Sequence, residues 1–135
     1  MGKNPASQFY WGDWRRDPGL HACSFQTRGI WIEILSIMHE CDPRGYFTFN
    51  GGPPSEEEAV KVIGCSIKEY QGAVAELEHC HVLSRDSNGI IFNRRMVRDE
   101  RERLLWRERQ KRHREGSHAD VTQMSQLSSF FFFKE

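Results

Sequence analysis

The stretch SEEEAVKVIGCSIKEYQGAVAELEH, from Ser55 to His79, decides the fold. Ser55-Glu56-Glu57-Glu58 is a capping box, in which the serine hydroxyl takes the third amide of the helix and the glutamate reaches back. The helix it opens runs only to about Ile63, because Gly64 breaks it. Ser66-Ile67-Lys68-Glu69 is a second capping box. Beyond it, Ile67, Tyr70, Val74 and Leu77 form one apolar stripe to about His79. Two helices joined by a tight glycine-containing turn make a helix-turn-helix.

Downstream, Val82-Leu83-Ser84-Arg85 and Ile90-Ile91-Phe92-Asn93 flank Asp86-Ser87-Asn88-Gly89. Asn-Gly between apolar runs signals a β-hairpin. Upstream, Asp17-Pro18 opens a short helix to Cys23, with Asp at the N-cap and Pro at the first position. Ser24 caps a longer helix to about Cys41, whose stripe is Ile30, Ile34, Ile37, Met38 and Cys41, widened by Trp31 and Leu35. Asp42-Pro43-Arg44-Gly45 ends it, and Tyr46-Phe47-Thr48-Phe49 is a short strand-like run closed by Asn50-Gly51-Gly52-Pro53-Pro54. The order helix, strand, helix, helix, strand, strand is that of an α+β winged helix. The aromatic run Phe9, Tyr10, Trp11 and Trp14 is expected to close its core rather than to stack bases.

The chain has 135 residues, 38% of them hydrophobic, and a formal net charge of zero. That suffices for one small domain with some chain outside the core. The zero hides an asymmetry: residues 1–93 carry −4, residues 94–114 carry +6, and residues 115–135 carry −2. A basic block of this kind is either an interaction arm for nucleic acid or a solvated helix laced with salt bridges. The expected organisation is a winged-helix domain over 8–95, a basic helical extension over 96–115 stopped by Gly116-Ser117, and a disordered, serine-rich tail over 116–135. No apolar run approaches the roughly 20 residues of a membrane span. Residues 1–6 lack a secretory or myristoylation signal. A soluble, cytoplasmic protein is expected.

Cys23, Cys41, Cys65 and Cys80 form no C-x-x-C pair. His21-x-Cys23, His39-x-Cys41 and His79-Cys80-His81 lack the spacing of a zinc site, so no metal or other cofactor is expected. No P-loop, nucleophile elbow or H-E-x-x-H is present, which points away from an enzyme.

For DNA, the second helix of the helix-turn-helix reads poorly, because Lys68 faces Glu69, Glu76 and Glu78. The candidate contacts are Arg85 in the wing, then Arg94, Arg95, Arg98, Arg101 and Arg103, with Arg107, Arg109, Lys111, Arg112 and Arg114 extending the track. Such contacts go to phosphates and are salt-sensitive. Asp99-Arg103 and Glu108-Arg112 are spaced to pair within the helix. Asn88 and Asn93 could reach bases. Leu104, Leu105 and Trp106 lie among charged neighbours and form a candidate partner interface.

The chain also carries a longer pattern. It opens with Phe9-Tyr10-x-x-Asp13-Trp14-x-x-Asp17-Pro18-x-Leu20, Ser24, Arg28-Gly29-Ile30-Trp31, Gly45-Tyr46, Asn50-Gly51-x-Pro53 and Ile63-Gly64-Cys65. Glu76-Leu77-Glu78 and Val82-x-Ser84-Arg85-x-x-x-Gly89-Ile90-Ile91 follow, and Arg94-Arg95-Met96-Val97-Arg98-Asp99-Glu100 closes it. Over about residues 8–103 this resembles the N-terminal winged-helix modules of phage and prophage replication proteins. Those are related in fold to DnaD-type primosome proteins and phage replisome organisers. The resemblance implies a role at a replication origin, with modules that bind DNA or self-associate and that help load a host helicase. Most relatives continue past a low-complexity linker into a second domain. Here Ser117-His118-Ala119-Asp120-Val121-Thr122 resembles the linker start, but Ser128-Ser129 turns into four phenylalanines. A slip in a T/C repeat would convert Ser codons to Phe codons, so a truncated prophage product is expected.

The expected function is therefore a phage-derived DNA-binding protein of replication initiation. Its partners are double- or single-stranded DNA with low sequence specificity, a host helicase or loader, and a second copy. The alternative is a self-associating or protein-binding module of a primosome-like assembly without DNA contact. A transcriptional regulator ranks third, because a basic recognition helix is missing.

Overall fold

The computed structural model describes the backbone of residues 6–133 and the side chains of residues 6–117. The chain divides into two compact units, Met1–Arg98 and Asp99–Glu135.

In the first unit, each helix start has a local chemical cause. α1 (Trp11–Arg16) runs into Asp17, whose carboxylate accepts from Gly19 N at 2.8 Å and Leu20 N at 3.4 Å and so caps α2 (Pro18–Ala22). Ser24 caps α3 (Phe25–Glu40) by accepting from Thr27 N at 3.2 Å. Arg28, one turn into α3, donates back to Leu20 O at 2.8 Å, Cys23 O at 3.2 Å and His21 O at 3.1 Å. One guanidinium thereby satisfies the orphaned carbonyls at the end of α2. α4 (Glu56–Ile63) and α5 (Ile67–His79) both begin with complete capping boxes, Ser55 with Glu58 and Ser66 with Glu69. Gly64 ends α4 in the left-handed conformation, φ +86°, which glycine adopts without a Cβ penalty. Ser66→Ala is expected to cost about 1 kcal/mol, read as a lower urea midpoint with an unchanged m-value.

α3 packs against α5 and α4, with Ile34, Met38, Leu77 and Ala59 fully buried at the contact and Trp31 nearly so. β1 (Ser84–Arg85) and β2 (Ile91–Phe92) form an antiparallel hairpin in the register Ser84↔Phe92 and Arg85↔Ile91. The Asp86 carboxylate fixes its turn by accepting from Asn88 N and Ile90 N, both at 2.9 Å. The unit is thus mixed helix with a small antiparallel hairpin. Among the described residues no helix is long and apolar enough to cross a membrane.

Four features differ from the sequence reading. Tyr46–Phe49 is not a full strand. It touches the hairpin through a Tyr46↔Phe92 bridge and a Phe47 N–H bond to Ile91 O of 2.8 Å. It then leaves in a turn at Asn50-Gly51, where both φ angles are positive and Phe49 N bonds Gly52 O. The aromatic run does not close the core as a whole: Trp14 packs on it, whereas Tyr10 and Trp11 are exposed. Trp11 stands in the first turn of α1, beyond the edge of the core. On α5 the buried face is Tyr70, Ala73 and Leu77, while Ile67, at the first helical position, is exposed. Finally, α6 (Arg94–Phe133) continues through Gly116 and Ser117. A helical glycine costs only about 1 kcal/mol, and no proline follows it in the sequence. The side chains of residues 118–135, the rest of the expected tail, lie outside the described residues.

Candidate nucleic-acid interface

The start of α6 is anchored to the first unit by backbone. Asn93 N donates to Gly45 O at 2.9 Å, and the Asn93 side chain accepts from Met96 N at 2.9 Å. Asn93 is therefore the helix cap. Gly45 has φ +94°, and a Cβ there would lie 2.8 Å from Val97 Cγ2 and 2.9 Å from Val97 N. Only glycine allows the loop and helix so close. Arg94 and Arg98, four residues apart, project outward and are exposed. Among the described residues neither has an ion-pair partner.

The other two first-unit arginines of the expected track are engaged. Arg85 pairs with Glu78 of α5 and donates to Gly89 O at 2.9 Å, which braces the hairpin turn against α5. Arg95 pairs with Asp13, and its guanidinium lies 4.3 Å over the Tyr10 ring.

The three carboxylates of α5 are engaged as well. Glu69 closes its capping box and accepts from Gln26 at 2.5 Å. Its backbone bond to Ser66 holds the carboxyl below the usual range. Glu76 accepts from Ser24 N and Thr27 Oγ1, both at 2.6 Å. Glu78 holds Arg85. What α5 leaves exposed on one face is Lys68, Gln71, Gly72, Ala75 and His79, at helical spacing. The charge count reads this face as neutral to acidic. The acids of α5 serve cap, helix junction and hairpin, and Glu56 of α4 reaches this face by accepting from Gln71 at 2.7 Å.

In the second unit Arg103 grips Glu100 through two bonds of 2.9 and 2.7 Å, and Arg112 meets Glu108 at 2.9 Å. Arg101, Arg107, Arg109, Lys111 and Arg114 are exposed and, among the described residues, without ion-pair partners. At about 100° per residue the cations fall in two rows. Arg101, Arg109 and Arg112 share one face with Leu105, and Arg103, Arg107, Lys111 and Arg114 share the opposite one. The same arithmetic separates Leu104 from Trp106 by about 200°. With exposures of 50%, 45% and 60%, Leu104, Leu105 and Trp106 wrap the helix rather than form one flat patch.

The four cysteines are free thiols. Burial pushes the Cys23 thiol up to about 12, assisted by the neighbouring Cys80 thiol. It is protonated at neutral pH and a poor nucleophile or ligand. Among the described residues no group of His, Cys, Asp or Glu is arranged to hold a metal ion. No family model matches this chain, and no match is found among curated proteins or solved structures.

Proposed function

We propose that this chain is a non-enzymatic winged-helix protein that binds DNA phosphates in phage or prophage replication initiation. The observation that carries the reading is the set of exposed cations on α6 that have no ion-pair partner among the described residues: Arg94 and Arg98 in the first unit, and Arg101, Arg107, Arg109, Lys111 and Arg114 in the second. Side chains of this kind release counterions when they meet phosphate, and they confer little sequence preference. Helix-turn-helix capping and a hairpin after α5 support the winged-helix assignment. The motif resemblance from Phe9 to Glu100 supports the replication setting. Arg85, Arg95 and Arg112, already paired, contribute less.

The test is fluorescence anisotropy with a labelled duplex at several salt concentrations. The parent chain is compared with a variant carrying Arg101→Gln, Arg107→Gln, Arg109→Gln and Lys111→Gln. The parent is expected to bind with a steep negative dependence on salt. The variant is expected to flatten the log–log slope by roughly 2–4. Absence of duplex binding at low salt sinks the proposal. A second reading, self-association in a primosome-like assembly, is favoured by the exposure of Leu104, Leu105 and Trp106. Sedimentation equilibrium of Trp106→Ala against the parent distinguishes it.

A further inference from the structure

α1 carries a surface that neither the core nor the ion pairs of the first unit explain. Trp11 is 71% exposed. Its ring centroid lies 4.5 Å from that of Phe9, and Phe9 lies 5.8 Å from Trp14, which packs on the core. The indole is therefore backed from the core outward and still open to solvent. Arg15 is one helical turn from Trp11. Arg16 folds back over Gly12, its Nη1 2.8 Å from where a Cβ would stand. Both arginines are exposed, and among the described residues neither meets a carboxylate. Of the two acids near them in sequence, Asp13 is paired with Arg95, and Asp17 is turned to the Gly19 and Leu20 amides of α2.

An exposed, backed indole on a short helix that also carries two exposed guanidiniums suits a ligand that alternates planar rings with anionic groups. In a duplex the bases stack on one another and cannot reach it. In a single strand they can, and base–aromatic stacking adds to the phosphate attraction. We propose that α1 is a stacking platform for single-stranded nucleic acid, with an unstacked base on Trp11 and its flanking phosphates on Arg15 and Arg16. The platform uses residues of the first unit alone, so it stands or falls separately from the α6 contacts proposed above.

The test titrates the full chain with a thymidine 12-mer, following tryptophan fluorescence in a Trp106→Phe background. That substitution removes the other indole more than half exposed. The expected result is quenching on binding. Trp11→Ala is expected to weaken the 12-mer about 5- to 150-fold while duplex affinity stays within about twofold. Trp11→Phe, which keeps a ring, is expected to recover most of that loss, and its melting curve reports on folding. An abasic 12-mer, with the same phosphates and no bases, is expected to bind at least about fivefold more weakly than the thymidine strand. Arg15→Ala with Arg16→Ala is expected to lower 12-mer affinity and flatten its salt dependence. Equal binding of the abasic and thymidine strands overturns the platform, as does unchanged 12-mer affinity in Trp11→Ala. Equal quenching by an oligoglutamate peptide also overturns it, because the site would then recognise charge alone.

Discussion

Phe47→Ala is expected to lower the free energy of unfolding by about 3–5 kcal/mol, a large share of the roughly 5–15 kcal/mol available to a small domain. Phe47 is 1% exposed and is among the largest fully buried side chains. Its ring lies 5.4 Å from that of Phe49, and its amide donates to Ile91 O at 2.8 Å. The residue joins the segment between α3 and α4 to the hairpin and to the core at once. Truncation removes the transfer energy of the ring and leaves a cavity that the packed helices can only partly fill. Phe47→Leu keeps most of the volume and is expected to cost about 1–2 kcal/mol. Phe25, also aromatic but 85% exposed, serves as the contrast: Phe25→Ala is expected to stay within about 1 kcal/mol. Urea midpoints by far-UV circular dichroism give all three values. A Phe47→Ala loss below about 2 kcal/mol would mean that the site collapses or that the segment packs less tightly than its burial indicates.

Phe47 also shows where reading residues in order stops working. The caps at Asp17, Ser24, Ser55 and Ser66 were legible because each is a chemical event spanning three or four residues. The hairpin turn was legible for the same reason, since Asn88-Gly89 encodes its own backbone conformation. The strand over Tyr46–Phe49 was only half legible. The run of three aromatics and a threonine reads as strand-like, but the turn at Asn50-Gly51 draws the chain away after Phe47, and no local pattern sets how far a neighbouring strand extends. The aromatic run was misjudged through composition. Four rings within six residues suggested burial, yet a helix of six residues presents only one turn to the core, and Trp14 occupies it.

The candidate interface failed and succeeded in a similar way. Charge counting along α5 found Lys68 against three glutamates and made the helix repellent to DNA. It could not show that Glu69 and Glu76 are held by Gln26 and Ser24, 43 and 52 residues away, and Glu78 by Arg85 of the hairpin. The same blindness applies to the arginines. Arg94 and Arg98 are open, whereas Arg95, between them in sequence, is closed onto Asp13 from the other end of the unit. Within α6 the i,i+4 rule did find Glu108–Arg112, because that pairing needs only the helix itself.

Glu76 is the acid whose loss matters most, and Glu76→Ala is expected to destabilise the chain by about 2–4 kcal/mol. Its carboxylate sits across the start of α3, accepting from Ser24 N, Thr27 Oγ1 and, at 3.3 Å, Ser24 Oγ. Two of these donors belong to a helix N-terminus, where negative charge is favoured by the helix dipole. The third, Thr27, is 3% exposed, so removing the carboxylate takes away the acceptor of a buried hydroxyl. For a unit of about 100 residues the loss corresponds to a melting temperature lower by roughly 10–20 °C. Glu76→Gln keeps the shape and one acceptor oxygen, and is expected to lose about half as much. The Thr27 hydroxyl, the Ser24 amide and hydroxyl, and the Arg28 charge hold the Glu76 carboxyl below the ordinary glutamate range. The unfolded chain therefore takes up its proton first as the pH falls. The contribution of the charge is whole at neutral pH, begins to fade near the ordinary value of about 4.3, and is gone below the depressed one. The gap between the urea midpoints of the parent and Glu76→Gln at pH 7, 5 and 3 is expected to be widest at pH 7 and to narrow toward pH 3. A gap that stays constant over this range would assign the junction to shape and neutral hydrogen bonding rather than to the carboxylate's charge.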